Sequence, residues 1–150
     1  MKRILIATDG SAAAHEAVEH GVELARHEGA EALLVHVAPL SHMVSMNGFG
    51  LMGYVPYEPT KLDEKVLDDA KAVAEEQDVP ATTELLRGDP AHEIVAYADA
   101  MDVDLIVVGS RGHGTVASAV LGSVSRGIVS ATKRPVLVIR TAHVREPVAI

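Results

Sequence analysis

Four short runs in this chain are apolar at every position: Ile4-Leu5-Ile6-Ala7, Leu33-Leu34-Val35, Leu105-Ile106-Val107-Val108 and Val136-Leu137-Val138-Ile139. A strand with one face in water alternates apolar and polar residues, whereas a strand apolar throughout needs cover on both faces. Parallel sheets sandwiched between helices provide that cover. The pattern therefore predicts strands over Arg3–Thr8, Ala32–Ala38, Leu105–Val108 and Val136–Ile139. A fifth run, Thr82-Thr83-Glu84-Leu85-Leu86, is more polar and suits an exposed edge.

Helical stretches separate these runs. Ser11 is placed to cap the first, in which Ala14, Val18, Val22 and Ala25 make one apolar face and Gly29 supplies the stop. The second is predicted from Thr60 to Gln77, with Leu62, Val66, Ala70 and Val73 facing inward. The third opens at Asp89-Pro90, a cap followed by a first-turn proline, and turns Ile94, Val95 and Ala98 to the core. The fourth opens at Gly122-Ser123 and runs to Thr132. Strands and helices thus alternate, which predicts an α/β fold with a parallel sheet and right-handed crossovers. With 150 residues and neither an internal repeat nor a linker, one domain over 1–150 is expected.

Residues 39–59 show no clear period, and a structureless stretch of this length is uncommon in a compact domain. The segment holds Phe49, Tyr54, Tyr57, Met43, Met46 and Met52 among its glycines. Two readings are open: a flexible flap that covers a ligand or packs on a partner subunit, or a disordered insertion.

Composition excludes several classes. Without cysteine there is no disulfide framework, thiolate metal site or Cys nucleophile. The apolar run at the start is too short for a signal sequence, and no stretch approaches the ~20 residues of a membrane span. A cytoplasmic location without membrane contact is expected. Lys and Arg number 13 against 21 Asp and Glu, a net charge of −8 that argues against nucleic acid as a partner. From Leu105 to Arg145, however, there is no acid, while Arg111, Arg126, Lys133, Arg134, Arg140 and Arg145 are present. That imbalance points this third of the chain towards an anion.

The densest motif follows the fourth strand: Gly109-Ser110-Arg111-Gly112, then Gly122-Ser123-Val124-Ser125. Glycines allow close backbone approach, and a helix N-terminus offers unpaired N–H groups and positive dipole to phosphate. Ser123 and Ser125 add hydroxyls, and Arg111 adds a charge. No G-x-x-x-x-G-K-S/T motif exists, which excludes a P-loop nucleotidase. Gly112-x-Gly114-x-x-Ala117 fits the dinucleotide fingerprint loosely, but it follows the wrong strand and lacks the downstream acid.

The spacing Gly-x2-Gly-x9-Gly-Ser, at Gly109, Gly112, Gly122 and Ser123, resembles the ATP-binding signature of the universal stress protein family. The resemblance runs from Lys2-Arg3-Ile4-Leu5-Ile6-Ala7-Thr8-Asp9-Gly10-Ser11 to Lys133-Arg134-Pro135-Val136-Leu137-Val138-Ile139. It implies an open five-stranded parallel sheet in order 3-2-1-4-5, helices on both faces, and a homodimer. It also implies an ATP-binding, regulatory stress-response protein, with ATP across the carboxyl ends of the first and fourth strands. Residue by residue, the resemblance places Ala7, Thr8 and Asp9 at ribose and phosphates, with Asp9 available to Mg²⁺. It places the Val37 backbone at adenine, and Val108, Gly109, Arg111 and Gly112 along ribose and phosphate. Gly122, Ser123, Val124 and Ser125 are left to bind the phosphates.

Other readings are weaker. Asp9 before Gly10-Ser11 also suits a turn into a helix. His15 and His20 lie five apart, about 140° around a helix, and cannot share a metal. His36 reads as a hydrogen-bonded core or ligand-adjacent residue, and His113 reads as a phosphate contact or a solvent-facing side chain. A phosphoacceptor receiver domain is rejected because Asp9 has no acidic neighbour and Lys133 precedes the last strand. A flavin carrier would lack aromatic residues to stack on its cofactor. No general base or P-loop lysine signals an enzyme, although slow ATP hydrolysis or self-phosphorylation is compatible with the donors. The alternative function is a dimeric interaction module whose nucleotide is incidental. The apolar last strand, Val136 to Ile139, is the expected dimer contact, extended by Val144, Val148 and Ile150.

Overall fold

The structure, a computed structural model, describes residues 1–111 and 121–140. Gly112, His113, Gly114, Ala117, Val144, Arg145, Val148 and Ile150, all singled out above, lie outside the described residues.

Seven strands and four helices are described, in the order β1 (Arg3–Ala7), α1 (Ala12–Glu28), β2 (Glu31–Ala38), β3 (Ser41–Ser45), β4 (Met52–Pro56), α2 (Lys61–Glu76), β5 (Ala81–Arg87), α3 (Pro90–Ala100), β6 (Leu105–Gly109), α4 (Ser123–Ala131), β7 (Val136–Ile139). The main sheet runs β5-β2-β1-β6-β7, which is 3-2-1-4-5 when its own five strands are counted in chain order. All four of its pairings are parallel, with Ile4 opposite both Ala32 and Leu105 and with Ile106 opposite Val136. Strand order reverses between β1 and β6, and this opens a crevice at their carboxyl ends.

Two apolar layers cover the sheet, as continuous apolar strands require. Ile4, Ile6, Leu34 and Val107 pack with Val18 and Val22 of α1 and with Ala70 and Ala74 of α2. Leu5, Leu33, Val35 and Ile106 pack on the other face with Ile94 and Ala98 of α3 and with Ile128 of α4. β7 is apolar throughout yet only half-covered, because it is an edge. Val136 and Val138 pack against the second layer, while Leu137 is 37% exposed.

Caps set the helix limits. The Ser11 hydroxyl accepts the Ala14 N–H at 3.2 Å, and Gly29 ends α1 in the left-handed conformation at φ 65°. Thr60 and Asp63 form a reciprocal capping box on α2. Asp89 accepts the His92 N–H at 3.0 Å ahead of Pro90.

Two expectations are corrected. Part of the 39–59 segment is a two-stranded antiparallel hairpin, β3 with β4, registered Ser41 to Pro56 and Met43 to Tyr54. Its turn is closed by Met46 N–H to the Leu51 carbonyl at 2.8 Å and by Phe49 N–H to the Asn47 side chain at 3.0 Å. One hairpin face is open to water, with Met43 52% and Tyr54 72% exposed, and the other, which carries Val44 and Val55, is only half-buried. No fully buried face imposes an alternating pattern, and the strands are therefore silent in the sequence. The second correction concerns α2, where Leu62 is 74% exposed and Asp63, its polar neighbour, is buried. Among the described residues no helix is long and apolar enough to cross a membrane.

Candidate functional site

The crevice at the strand-order reversal contains a cavity of about 220 Å³. β1 and the turn after it contribute Ala7, Thr8 and Asp9, and β2 contributes Val35, His36 and Val37. From β6 and beyond come Val108, Gly109 and Arg111, and the start of α4 brings Gly122, Ser123, Val124 and Ser125. Ala7, Thr8, Asp9, Val37, Val108, Gly109, Arg111, Gly122, Ser123, Val124 and Ser125, all named from the sequence, line this space, while Gly112 and His113 lie outside the described residues.

Thr8 and Asp9 are held by their own turn. The Thr8 hydroxyl accepts the Gly10 N–H at 3.2 Å, and Asp9 Oδ1 accepts the Ser11 N–H at 2.9 Å. Asp9 therefore shapes the entry to α1, as the turn reading anticipates, and faces the cavity as well.

Two of the motif's glycines, Gly109 and Gly122, are explained by backbone crowding. A Cβ on Gly109 would sit 3.1 Å from the Ala13 carbonyl oxygen, where the first turn of α1 crosses the end of β6. A Cβ on Gly122 would sit 3.1 Å from the Ser110 carbonyl oxygen. That oxygen accepts the Gly122 N–H at 2.7 Å, while the Ser110 N–H donates to Ile139 at 2.8 Å. Ser110 thus staples the motif loop between β7 and α4, a role with no signature in the sequence.

α4 differs from the other three helices at its N-terminus. Ser11, Thr60 and Asp89 cap α1, α2 and α3 through their side chains, whereas Gly122 offers no side-chain cap. Ser123, Val124 and Ser125, the first residues of α4, line the cavity, so the helix brings the positive end of its dipole to it. Ser125 is buried, and its hydroxyl lies 3.1 Å from the Gly122 carbonyl and 3.3 Å from that of Ser110. Its single proton goes to the loop, so Ser125 meets the cavity chiefly through its backbone.

Of the six cations in the acid-free third, Arg111 lines the cavity. Arg134 instead grips Asp99 at 2.9 Å, Asp102 at 3.2 Å and the Val103 carbonyl at 2.6 Å, and Arg126 donates to Leu121. Their charge is used to join segments of the fold.

Ala14, Val35, Pro90 and Ile94 complete the apolar wall. Pro90 and Ile94 are recognisable in sequence as a helix start and a core position, but only the winding of the sheet brings them to the crevice. A second cleft of about 650 Å³ lies towards α1 and α2 and shares Thr8, Asp9, His36 and Val37 with the first. No residue of 41–56 lines either cavity.

Between these cavities sits a buried polar cluster. His36 Nε2 lies 2.8 Å from Asp63 Oδ1, and Asp63 Oδ2 accepts the Tyr57 hydroxyl at 2.7 Å and the Thr60 N–H at 2.9 Å. Burial pushes the Asp63 carboxyl upward, but the Thr60 N–H, the Tyr57 hydroxyl and the His36 ring together outweigh it and hold the group at about 2. The sequence reading missed Asp63, although Thr60-Lys61-Leu62-Asp63 carries the spacing of a capping box.

The family model of the universal stress protein family matches residues 1–140. A universal stress protein of Methanocaldococcus jannaschii is 34% identical over 139 residues, covering 93% of this chain and 82% of that protein. One from Bacillus subtilis is 36% identical over 146 residues, covering 92% of this chain and 98% of that protein. Among solved structures, the universal stress protein from Archaeoglobus fulgidus in complex with dAMP superposes with a TM-score of 0.71 at 24% identity, covering 93% of this chain and 98% of that one. The sheet order, the glycine-serine loop and the match along almost the whole sequence agree: this chain belongs to the universal stress protein family.

Proposed function

We propose that this protein binds an adenine nucleotide, ATP with Mg²⁺, in the 220 Å³ cavity and acts as a cytoplasmic regulator in the stress response. The observation that carries the reading is the uncapped N-terminus of α4 opening onto the same cavity as Asp9, Val37 and Gly109. Three N–H groups at a helix start make a phosphate site. The apolar wall of Val35, Val37, Pro90 and Ile94 suits a flat base. The family relative that carries dAMP supports adenine as that base.

In this reading the Val37 backbone meets adenine, and Ala7, Thr8 and Asp9 flank the ribose and phosphates. Val108, Gly109, Arg111 and Gly112 follow the ribose and phosphate chain. Gly122, Ser123, Val124 and Ser125 bind the phosphates. Mg²⁺ takes one or two carboxylates and completes its shell with phosphate oxygens and water. The donor set fits a metal that arrives with the nucleotide. Asp9 supplies a carboxylate, and among the described residues no group of three or more acids and histidines would hold an ion alone.

The proposal includes a homodimer through β7, supported by an apolar edge strand on which Leu137 stays 37% exposed. Titration calorimetry with ATP and with adenosine, with and without Mg²⁺, tests the site. Binding of ATP that is tighter than adenosine and strengthened by Mg²⁺ supports it, and no binding of either refutes it.

A further inference from the structure

His36 lies on β2 beside Val37, with 10% of its side chain exposed, and both ring nitrogens are engaged. Nδ1 is 3.0 Å from the Thr8 carbonyl oxygen, and Nε2 is 2.8 Å from Asp63 Oδ1. A carbonyl only accepts hydrogen bonds, and so does an ionised carboxylate, whereas a neutral imidazole has one N–H to give. Asp63 is ionised here: its other oxygen already accepts the Tyr57 hydroxyl and the Thr60 N–H, and its carboxyl is held at about 2. Both contacts of His36 can be hydrogen bonds at once only when the ring carries two protons.

We propose that His36 is a proton-dependent positioning residue for the ligand cavity. With two protons it ties the end of β1, through Thr8, to the start of α2 and the hairpin exit, through Asp63 and Tyr57. With one proton it must release either Thr8 or Asp63. Thr8 and Val37 both line the cavity, so release on either side shifts its wall. The effect on ligand rests on the nucleotide reading above, whereas the tie itself does not.

The surroundings are mixed in charge. Asp9 follows β1, and His15 of α1 faces the second cleft together with Lys65 and Asp69 of α2. Lys65 and Asp69 are paired at 2.6 Å. Arg87 of β5 donates to the Tyr57 carbonyl, while Leu85, opposite His36 on β5, is apolar. His15 is exposed, lies 3.2 Å from Glu19 and is a second histidine at this cleft, so it needs its own control.

Asp63→Asn separates charge from geometry. Its amide oxygen keeps the Tyr57 and Thr60 bonds, and its amide N–H donates to Nε2 of a neutral ring, so the tie no longer needs the second proton. The test is hydrogen exchange of the full chain, read as protection factors in the first turn of α2 between about pH 5 and 8. ATP affinity is measured across the same range. In wild type, protection is expected to fall by about tenfold as pH rises, the worth of one charge-assisted hydrogen bond, and ATP affinity to fall with it. Asp63→Asn should give a flat profile, and His15→Gln should follow wild type. A flat wild-type profile, an Asp63→Asn profile parallel to wild type, or a flat His15→Gln profile would overturn the tie. ATP affinity that stays level while protection falls would overturn its role at the cavity. Failure of ATP to bind at all would instead refute the nucleotide reading, and the exchange profiles would still decide the tie.

Discussion

Gly122→Ala separates binding from folding more sharply than any other substitution at this site. Gly122 has φ −63° and ψ 165°, a conformation open to every residue, so the change carries no backbone strain. Its folding cost is a poorer N-cap, about 1 kcal/mol, and a crowded Cβ 3.1 Å from the Ser110 oxygen. Against the ~5–15 kcal/mol that stabilises a typical domain, the variant stays folded. Binding has less room. Relief of the clash moves the loop by a few tenths of an ångström, and in the proposed nucleotide site the same loop sets the position of the Ser123, Val124 and Ser125 N–H groups towards the phosphates. A hydrogen bond to a charged group is worth about 1.5–3 kcal/mol. Impairing the equivalent of two costs about 3 kcal/mol, or roughly a hundredfold in Kd. Calorimetry on a variant with an unchanged circular dichroism spectrum should show that loss for ATP and little loss for adenosine, which has no phosphate. Unchanged ATP affinity, or equal weakening of ATP and adenosine, would refute the assignment of α4 to phosphate.

Asp9→Asn keeps the oxygen that accepts the Ser11 N–H, so the turn survives while the carboxylate charge is lost. ATP affinity in the variant should stop responding to Mg²⁺, and a response equal to wild type in calorimetry would move the metal elsewhere. Asp63 should contribute to acid stability, because its carboxyl sits at about 2 against an ordinary 3.8. A depressed carboxyl stabilises the fold above its unfolded value, and that contribution, about 2 kcal/mol, is lost as pH falls from about 4 to about 2. Urea unfolding across this window should be less steeply pH-dependent in Asp63→Asn, and parallel slopes would exclude Asp63 as the source. Leu137→Asp should convert a homodimer to monomer in light scattering at micromolar concentration, whereas Thr83→Asp, on the opposite edge of the sheet, should not. A wild-type protein that is already monomeric would end the dimer reading.

Local order was legible because it depends on near neighbours in the chain. Continuous apolar runs marked the buried strands, Ser11, Thr60 and Asp89-Pro90 marked helix starts, and the Gly109 to Ser125 spacing marked the loop that meets the cavity. Each of these signals lies within a few residues of the structure it specifies.

What the tertiary structure decided were the pairings between distant segments. Arg134 read as one cation of an anion-seeking third, yet Asp99 and Asp102 capture it across a gap of more than 30 residues. The hairpin left no period because neither of its faces is fully buried. Leu62 and Asp63 adjoin at the start of α2, and helical periodicity favours the leucine for the core. The structure buries the aspartate instead, because the Thr60 N–H, the Tyr57 hydroxyl and the His36 ring together offset the cost of desolvating a carboxylate. Thr60 and Tyr57 are near in the chain, and Thr60 leaves a capping-box spacing, but His36, 27 residues earlier, becomes a neighbour only when β2 and α2 pack together, which is why the burial of Asp63 was not legible in the sequence.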